Sequence, residues 1–363
     1  MTFKNSASAS QGAMDMLEGG VLRKLLVFAI PLIASGVLQQ SFNAVDIAVV
    51  GRFASSQALA AVGGNNVVIN ILVNLFVGVS IGANVVAANY IGRRNEAGVR
   101  RTVGSAAALA LLSGFLLTIL GQLLVHPILV AMSTPGDVLP LASLYLRLFF
   151  IGMPFVMVFN FGASLLRSIG DTRRPLYMLI VAGIVNTVLN LLLVVGLDMS
   201  VAGVAIATVI AQGLSAAMMV RALLRETSEV KLNLREIRLS RSEVVKMLRI
   251  GVPAGLQGMI FSFANIFVQT TINGFGSAAV AGSSASLNFE SYSYFVISAF
   301  SQAAVSFISQ NYGAGRYDRC VEVFRKSMFL ALVSSSVLNL SMAFFREPLA
   351  SLFSSDPEVL SYA

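Results

Sequence analysis

Residues 25–50, LLVFAIPLIASGVLQQSFNAVDIAVV, form an apolar run long enough to cross a bilayer, and an aspartate interrupts it. A helix rises about 1.5 Å per residue, so about 20 apolar residues cross a hydrocarbon core of about 30 Å. Asp46 inside such a span costs roughly 2.5–3.5 kcal/mol on insertion scales, so it needs a reason to be there. Gln39, Asn43 and Asp46 recur at helical spacing, which predicts one polar face. Lipid offers that face no hydrogen bonds, so it belongs against other helices or a wet cavity. The pattern predicts a proton or cation site inside a transporter.

The rest of the chain repeats this character. Nine complete spans are predicted, at 25–50, 65–91, 102–125, 138–166, 175–197, 200–220, 250–272, 281–312 and 327–345, and a tenth begins near 357. Only 12% of the residues are charged, against about 25% in a soluble protein, which leaves a polytopic all-α membrane protein. The net charge of +8 sits in short clusters between apolar runs, so no nucleic-acid partner is expected. If the N-terminus is cytoplasmic, every Lys and Arg except Arg52, Arg147 and Arg346 falls on the inner side. The positive-inside rule therefore predicts that orientation, in a cytoplasmic (inner) membrane. Residues 1–20 lack an apolar signal core, so no cleaved leader is expected. Cys320 stands alone, and His126, beside Pro127, reads as a helix-end residue. The organisation predicted is a tail at 1–24, a six-helix lobe at 25–220, a basic linker at 221–249 and a second lobe at 250–363. The linker reads as a solvated segment with an amphipathic helix on the headgroups.

The second lobe repeats the first at a shift of 222. Pro31 meets Pro253, Gly36 meets Gly258, Asn43 meets Asn265, Asn89-Tyr90 meets Asn311-Tyr312, and Arg94 meets Arg316. Six helices is an even number, so the two bundles run the same way, related by an axis along the membrane normal. By that logic a full second bundle ends at about residue 440, so the second bundle is expected to be incomplete, which puts activity of this chain alone in question.

No phosphate loop, HExxH or Cys/His cluster occurs, so no enzyme is predicted and energy is expected from an ion gradient. A carboxyl withdrawn from water holds its proton more tightly, which suits Asp46 to coupling. Its repeat mate is Val268, so the acid was not duplicated with the architecture. Glu290 is either a second cation site or an acid near the outer interface. Asn186 and Asn190 lie one turn apart on the fifth span, and Asn66, Asn70 and Asn74 form a row on the second. Such amides also serve simply to join helices, for about 1 kcal/mol apiece.

PLIASGVLQQSFNAVDIAVVGRF with ALAAVG, RSIGDTRRP at 167–175, NTVLNLLLVVGLDMSVAGVAIATVIAQ at 186–212 and SQNYGAGRYD at 309–318 together resemble the multidrug and toxic compound extrusion (MATE) family. The resemblance covers 20–363. It implies a twelve-helix, two-lobed exporter of organic cations and drugs, monomeric at full length, with H+ or Na+ as coupling ion and no other cofactor. Asp46 matches the first-helix aspartate of the family's proton-coupled, DinF-like branch. Gln39, Tyr145, Asn160, Asn186 and Thr208 resemble that lobe's polar cavity lining, with Glu290 a further cavity candidate. Asn190 departs, since many such members carry an aspartate there. Phe261 departs from the sodium-coupled branch, which has a glutamate. Two alternatives remain open: a lipid-linked oligosaccharide flippase of the same superfamily, and a non-transporting membrane scaffold or receptor.

Overall fold

The computed structural model describes residues 13–63, 66–132, 134–273, 275 and 277–351, and its regular elements among them are helical. In chain order they are α1 (Val21–Phe53), α2 (Ser56–Gly63), α3 (Asn66–Gly92), α4 (Glu96–Ala131), α5 (Leu139–Ile151), α6 (Met153–Ser168), α7 (Arg173–Asn190), α8 (Ser200–Leu224), α9 (Arg241–Asn273), α10 (Ser277–Gly313), α11 (Tyr317–Phe344) and α12 (Arg346–Ser351). Among the described residues seven helices are long and apolar enough to cross a membrane, or eight if the α5–α6 pair, bent by 47°, counts as one span. The tenth span expected near 357 lies outside the described residues.

α4 shows why these helices need lipid. Asn95 caps its start by accepting from the Gly98 amide at 2.9 Å. Its buried positions include Gly98, Ser105, Ala106, Ser113, Gly114 and Gly121, while Leu112, Phe115, Ile119 and Leu123 are exposed. Leu109, Leu117 and Leu129 are buried as well, so large apolar side chains cover α4 on both its packed and its exposed face, which is stable only when the surrounding solvent is hydrocarbon. α4 also continues through Pro127 to Ala131, so His126 sits within the helix rather than at its end. The break between α5 and α6 has a local cause: Pro154, in the first turn of α6, has no N–H to extend the α5 ladder.

On the division given by the repeat, α1 to α8 are the first lobe and α9 to α12 the second. Asn84 on α3 donates to Ser306 on α10 at 2.9 Å. These two residues are 222 apart and are therefore repeat mates. Mates related by a twofold axis can touch only where the axis passes between them, so the pseudo-twofold runs through the α3–α10 crossing.

Most basic residues collect at one end of the bundle, where α1, α4, α7, α9 and α11 begin. The linker differs from expectation here. α8 runs to Leu224 and α9 starts at Arg241, so only 225–240 is irregular, with a single 3-10 turn at Leu234–Glu236 and no amphipathic helix. The segment lies on α4 instead: Ser105 Oγ donates to the Arg238 carbonyl at 3.2 Å and accepts from the Ser240 amide at 3.1 Å. Backbone groups that find partners on the protein have no need of a headgroup surface.

Candidate substrate and coupling site

The site is built where α1 crosses α7. Gly183 on α7 leaves room for the Phe42 ring, and a methyl at that glycine would overlap it. One turn further along α1, Asp46 is 8% exposed and accepts a hydrogen bond from Asn190 Nδ2. The Asn190 amide also donates to Asn186 Oδ1 at 3.3 Å. Asn186 Nδ2 reaches Thr208 Oγ1 on α8 at 3.3 Å, and that hydroxyl donates to the Val204 carbonyl at 2.9 Å. One polar chain thus runs across three helices, from Asp46 through two amides to a hydroxyl. Directly after Asn190 the helix widens into a π turn, Leu191–Gly196, a distortion that recurs at functional sites.

Two features set the chemistry. Among the described residues no Lys or Arg forms an ion pair with Asp46. Asn190 Oδ1 is buried without a partner. An acid lacking a cation sits beside an acceptor lacking a donor. A proton on Asp46 would supply that donor, while an ionised Asp46 keeps only the amide N–H.

Of the residues expected here, Tyr145 is buried on α5, within electrostatic reach of Asp46. Gln39 and Asn43, expected on Asp46's face, are exposed. The three positions share a narrow arc but extend about 10 Å along the helix axis, so a neighbour can cover the last and leave the others open. Asn160 donates to the Val156 carbonyl of its own helix at 2.9 Å and stands outside the chain. Glu290 is exposed on α10 and is not joined to the Asp46 group. Asn74 joins α3 to Ser262 of α9 at 3.3 Å, as a helix-joining amide does, whereas the side chains of Asn66 and Asn70 lie outside the described residues. Sequence reasoning missed Arg167, taken only as part of a basic cluster. Its guanidinium reaches Gln302 of the second lobe at 2.8 Å and Ser164 at 2.8 Å. The only signal was its position in the last turn of a span, where a long side chain can turn inward as well as outward.

The sequence profile named MatE matches residues 31–192 and 253–363. The chain belongs to the MatE family. As a member it is a multi-span membrane transporter and not an enzyme. It is 28% identical over 351 residues to the probable multidrug resistance protein YoeA of Bacillus subtilis (strain 168), covering 94% of this chain and 76% of that one. It is also 28% identical over 351 residues to the FAD transporter of Shewanella oneidensis, covering 96% of this chain and 77% of that protein. Among solved structures, an outward-facing multidrug resistance MATE transporter of the MOP superfamily superposes with a TM-score of 0.85 at 24% identity, over 95% of this chain and 77% of that one. This MatE chain therefore has the two-bundle fold.

Proposed function

We propose that this MatE chain exports organic cations and related drugs across the cytoplasmic membrane in exchange for protons, with Asp46 as the group for which proton and substrate compete. Support comes from its relatives, among them proteins named for multidrug resistance and multidrug export, and above all from the pairing of Asp46 with Asn190. Ionised, Asp46 attracts a cation and takes the Asn190 N–H. Protonated, it loses that attraction and donates to the orphaned Asn190 Oδ1 once the amide turns over. The ionised state leaves Asn190 Oδ1 without a donor and the protonated state can supply one, so the proton changes which hydrogen bonds the site makes. Two lobes of alternating access then give antiport, because a ligand shifts an equilibrium only by its differential affinity for the two states. On this reading the N-terminus and the basic end face the cytoplasm, the coupling ion is H+ rather than Na+, and the working unit is one chain. Asn190 as an amide leaves Asp46 the titrating group of the chain.

Asp46→Asn tests it. The variant keeps the volume, removes a charge worth a few kcal/mol of insertion cost, and should insert and fold. In vesicles with an imposed pH gradient it should lose proton-driven efflux, and cation binding should become flat with pH. Pumping at the parental rate would make Asp46 structural and sink the assignment.

A further inference from the structure

Residues 13–20, AMDMLEGG, lie ahead of α1 and cross from one lobe to the other. On the first lobe the Met14 amide donates to the Ile169 carbonyl at 3.1 Å. Met14 packs on Gly170, whose φ of +88° bends the α6–α7 loop into a seat for it. On the second lobe, four successive carbonyls are gripped from the α10–α11 corner. Asn311 reaches Met16 at 3.1 Å, Arg316 reaches Leu17 at 2.6 Å, and Arg319 reaches Glu18 at 3.0 Å and Gly19 at 2.9 Å. The Met16 side chain is fully buried in an apolar cluster that joins Phe28 of α1 to Phe307 of α10 and Val323 of α11, so its pocket exists only while these helices are together.

This is how proteins bind extended peptides: main-chain groups supply most of the contacts, and a pocket takes one side chain. We propose that the α10–α11 corner is a peptide-binding surface occupied by the chain's own segment 13–20, and that this segment leaves the corner whenever the lobes part at the basic end. Both attachments cannot survive that parting, because one is on each lobe. The corner side is built for exchange. Its hydrogen bonds to Leu17, Glu18 and Gly19 are exposed, and Arg316 is 46% exposed, so water replaces each donor's partner without stranding a charge. Met16 is the one buried side chain that must come out. The inference rests on the lobe motion of the exporter reading but not on Asp46.

The test uses the whole chain in lipid nanodiscs with Cys320→Ser and spin labels at Arg93 and Arg325, exposed positions on opposite lobes. Arg316→Gln with Arg319→Gln should add a longer distance component. Loss of charge-assisted hydrogen bonds should shift the population ratio on the order of tenfold or more. Met16→Glu should do the same, and an added synthetic peptide of sequence AMDMLEGG should restore the short distance in it, which a misfolded variant would not allow. Arg316→Lys with Arg319→Lys should keep the parental distribution, since an ammonium still donates to a carbonyl. An unchanged distribution in the double glutamine variant, or no response to the peptide, overturns the proposal. Distances need neither substrate nor gradient, so a failed efflux test of Asp46 leaves this result readable.

Discussion

The two lobes meet along two seams that the repeat makes equivalent, and the seams are closed by different chemistry. At the α3–α9 seam, Gly78 and Gly82 face Gly251 and Gly255, and the backbones touch: a methyl on Gly78 would overlap the Gly255 amide, and one on Gly82 the Met247 carbonyl. At the α1–α10 seam the mates of these four glycines are Phe300, Ala304, Ala29 and Ile33. Side chains hold those helices apart, with Phe28 edge-on to Phe307 at 5.6 Å between ring centres. At the basic end the first seam is closed by buried Glu243, which meets Arg101 at 3.6 Å, Lys246 at 3.3 Å and the Tyr90 hydroxyl at 3.2 Å. In the second seam the mate of Glu243 is Val21, and the segment 13–20 supplies acceptors as carbonyls instead. Close helix approach with a buried ion cluster makes one seam a fixed contact; at the other, packed side chains and the bonds Arg167–Gln302 and Gln310–Ser168 are joined by carbonyls held by exposed guanidiniums, and these last are its releasable part. A pseudo-symmetric transporter thus need not use its halves symmetrically.

The largest effect expected is at the glycines. Gly82→Val places a branched side chain into the Met247 backbone, which neither helix can avoid without separating, and should cost more than about 3 kcal/mol or prevent folding. The mate substitution, Ala304→Gly, only loosens a helix and should cost about 1 kcal/mol. Thermal unfolding of both in detergent measures the gap. Similar losses at the two positions would erase the distinction between the seams.

Next comes Glu243→Gln. It leaves Arg101 and Lys246 without their carboxylate, but both are 40–50% exposed and water recovers part of the loss, so about 1–2 kcal/mol is expected. Its effect should appear at the α3–α9 seam, read by amide exchange at the ends of α3 and α9, and not at residues 13–20. Equal loosening of both seams would show them to be one cooperative unit.

Much of this was legible in the residues. Apolar runs bounded by basic clusters fix spans because hydrocarbon tolerates only satisfied backbone. The shift of 222 was read from pairs such as Pro31 with Pro253, and the contact of Asn84 with Ser306 falls on the same shift. Asp46, Asn186 and Asn190 stood out because polar groups in a span must find one another. Gln39 and Asn43 share the face but stay exposed: periodicity gives a face but not what covers it. The segment 13–20 was invisible because its bonds are made by carbonyls, which every residue carries. Arg316 and Arg319 read only as topology signals, since orientation and recognition use the same charge.

The smallest effects separate the straps themselves, and here the first seam's linker, tied at both ends, can be probed by pH. Burial pushes Glu226 up, but the Arg174 guanidinium at 2.6 Å and the amides of Ser228 and Thr227 outweigh it and hold its carboxyl below the usual value of 4.5. Glu229, three residues on, is pushed above that value by burial and by Glu96. A depressed acid contributes stability above the unfolded value that is lost as pH falls through the folded one; a raised acid subtracts stability above its folded value and nothing below the unfolded one. Glu226→Gln should therefore lower the melting temperature at pH 7, with the difference from the parent closing as pH falls well below 4.5. Glu229→Gln should raise it slightly at pH 7 and also converge in acid. Residues 13–20 take their donors through carbonyls that do not titrate, so the distance distribution across the second seam should stay constant over the same range. Movement of that distribution in step with Glu226 would mean that the linker and the N-terminal segment release together, and the contrast between a fixed seam and a releasable one would fail at its weakest point.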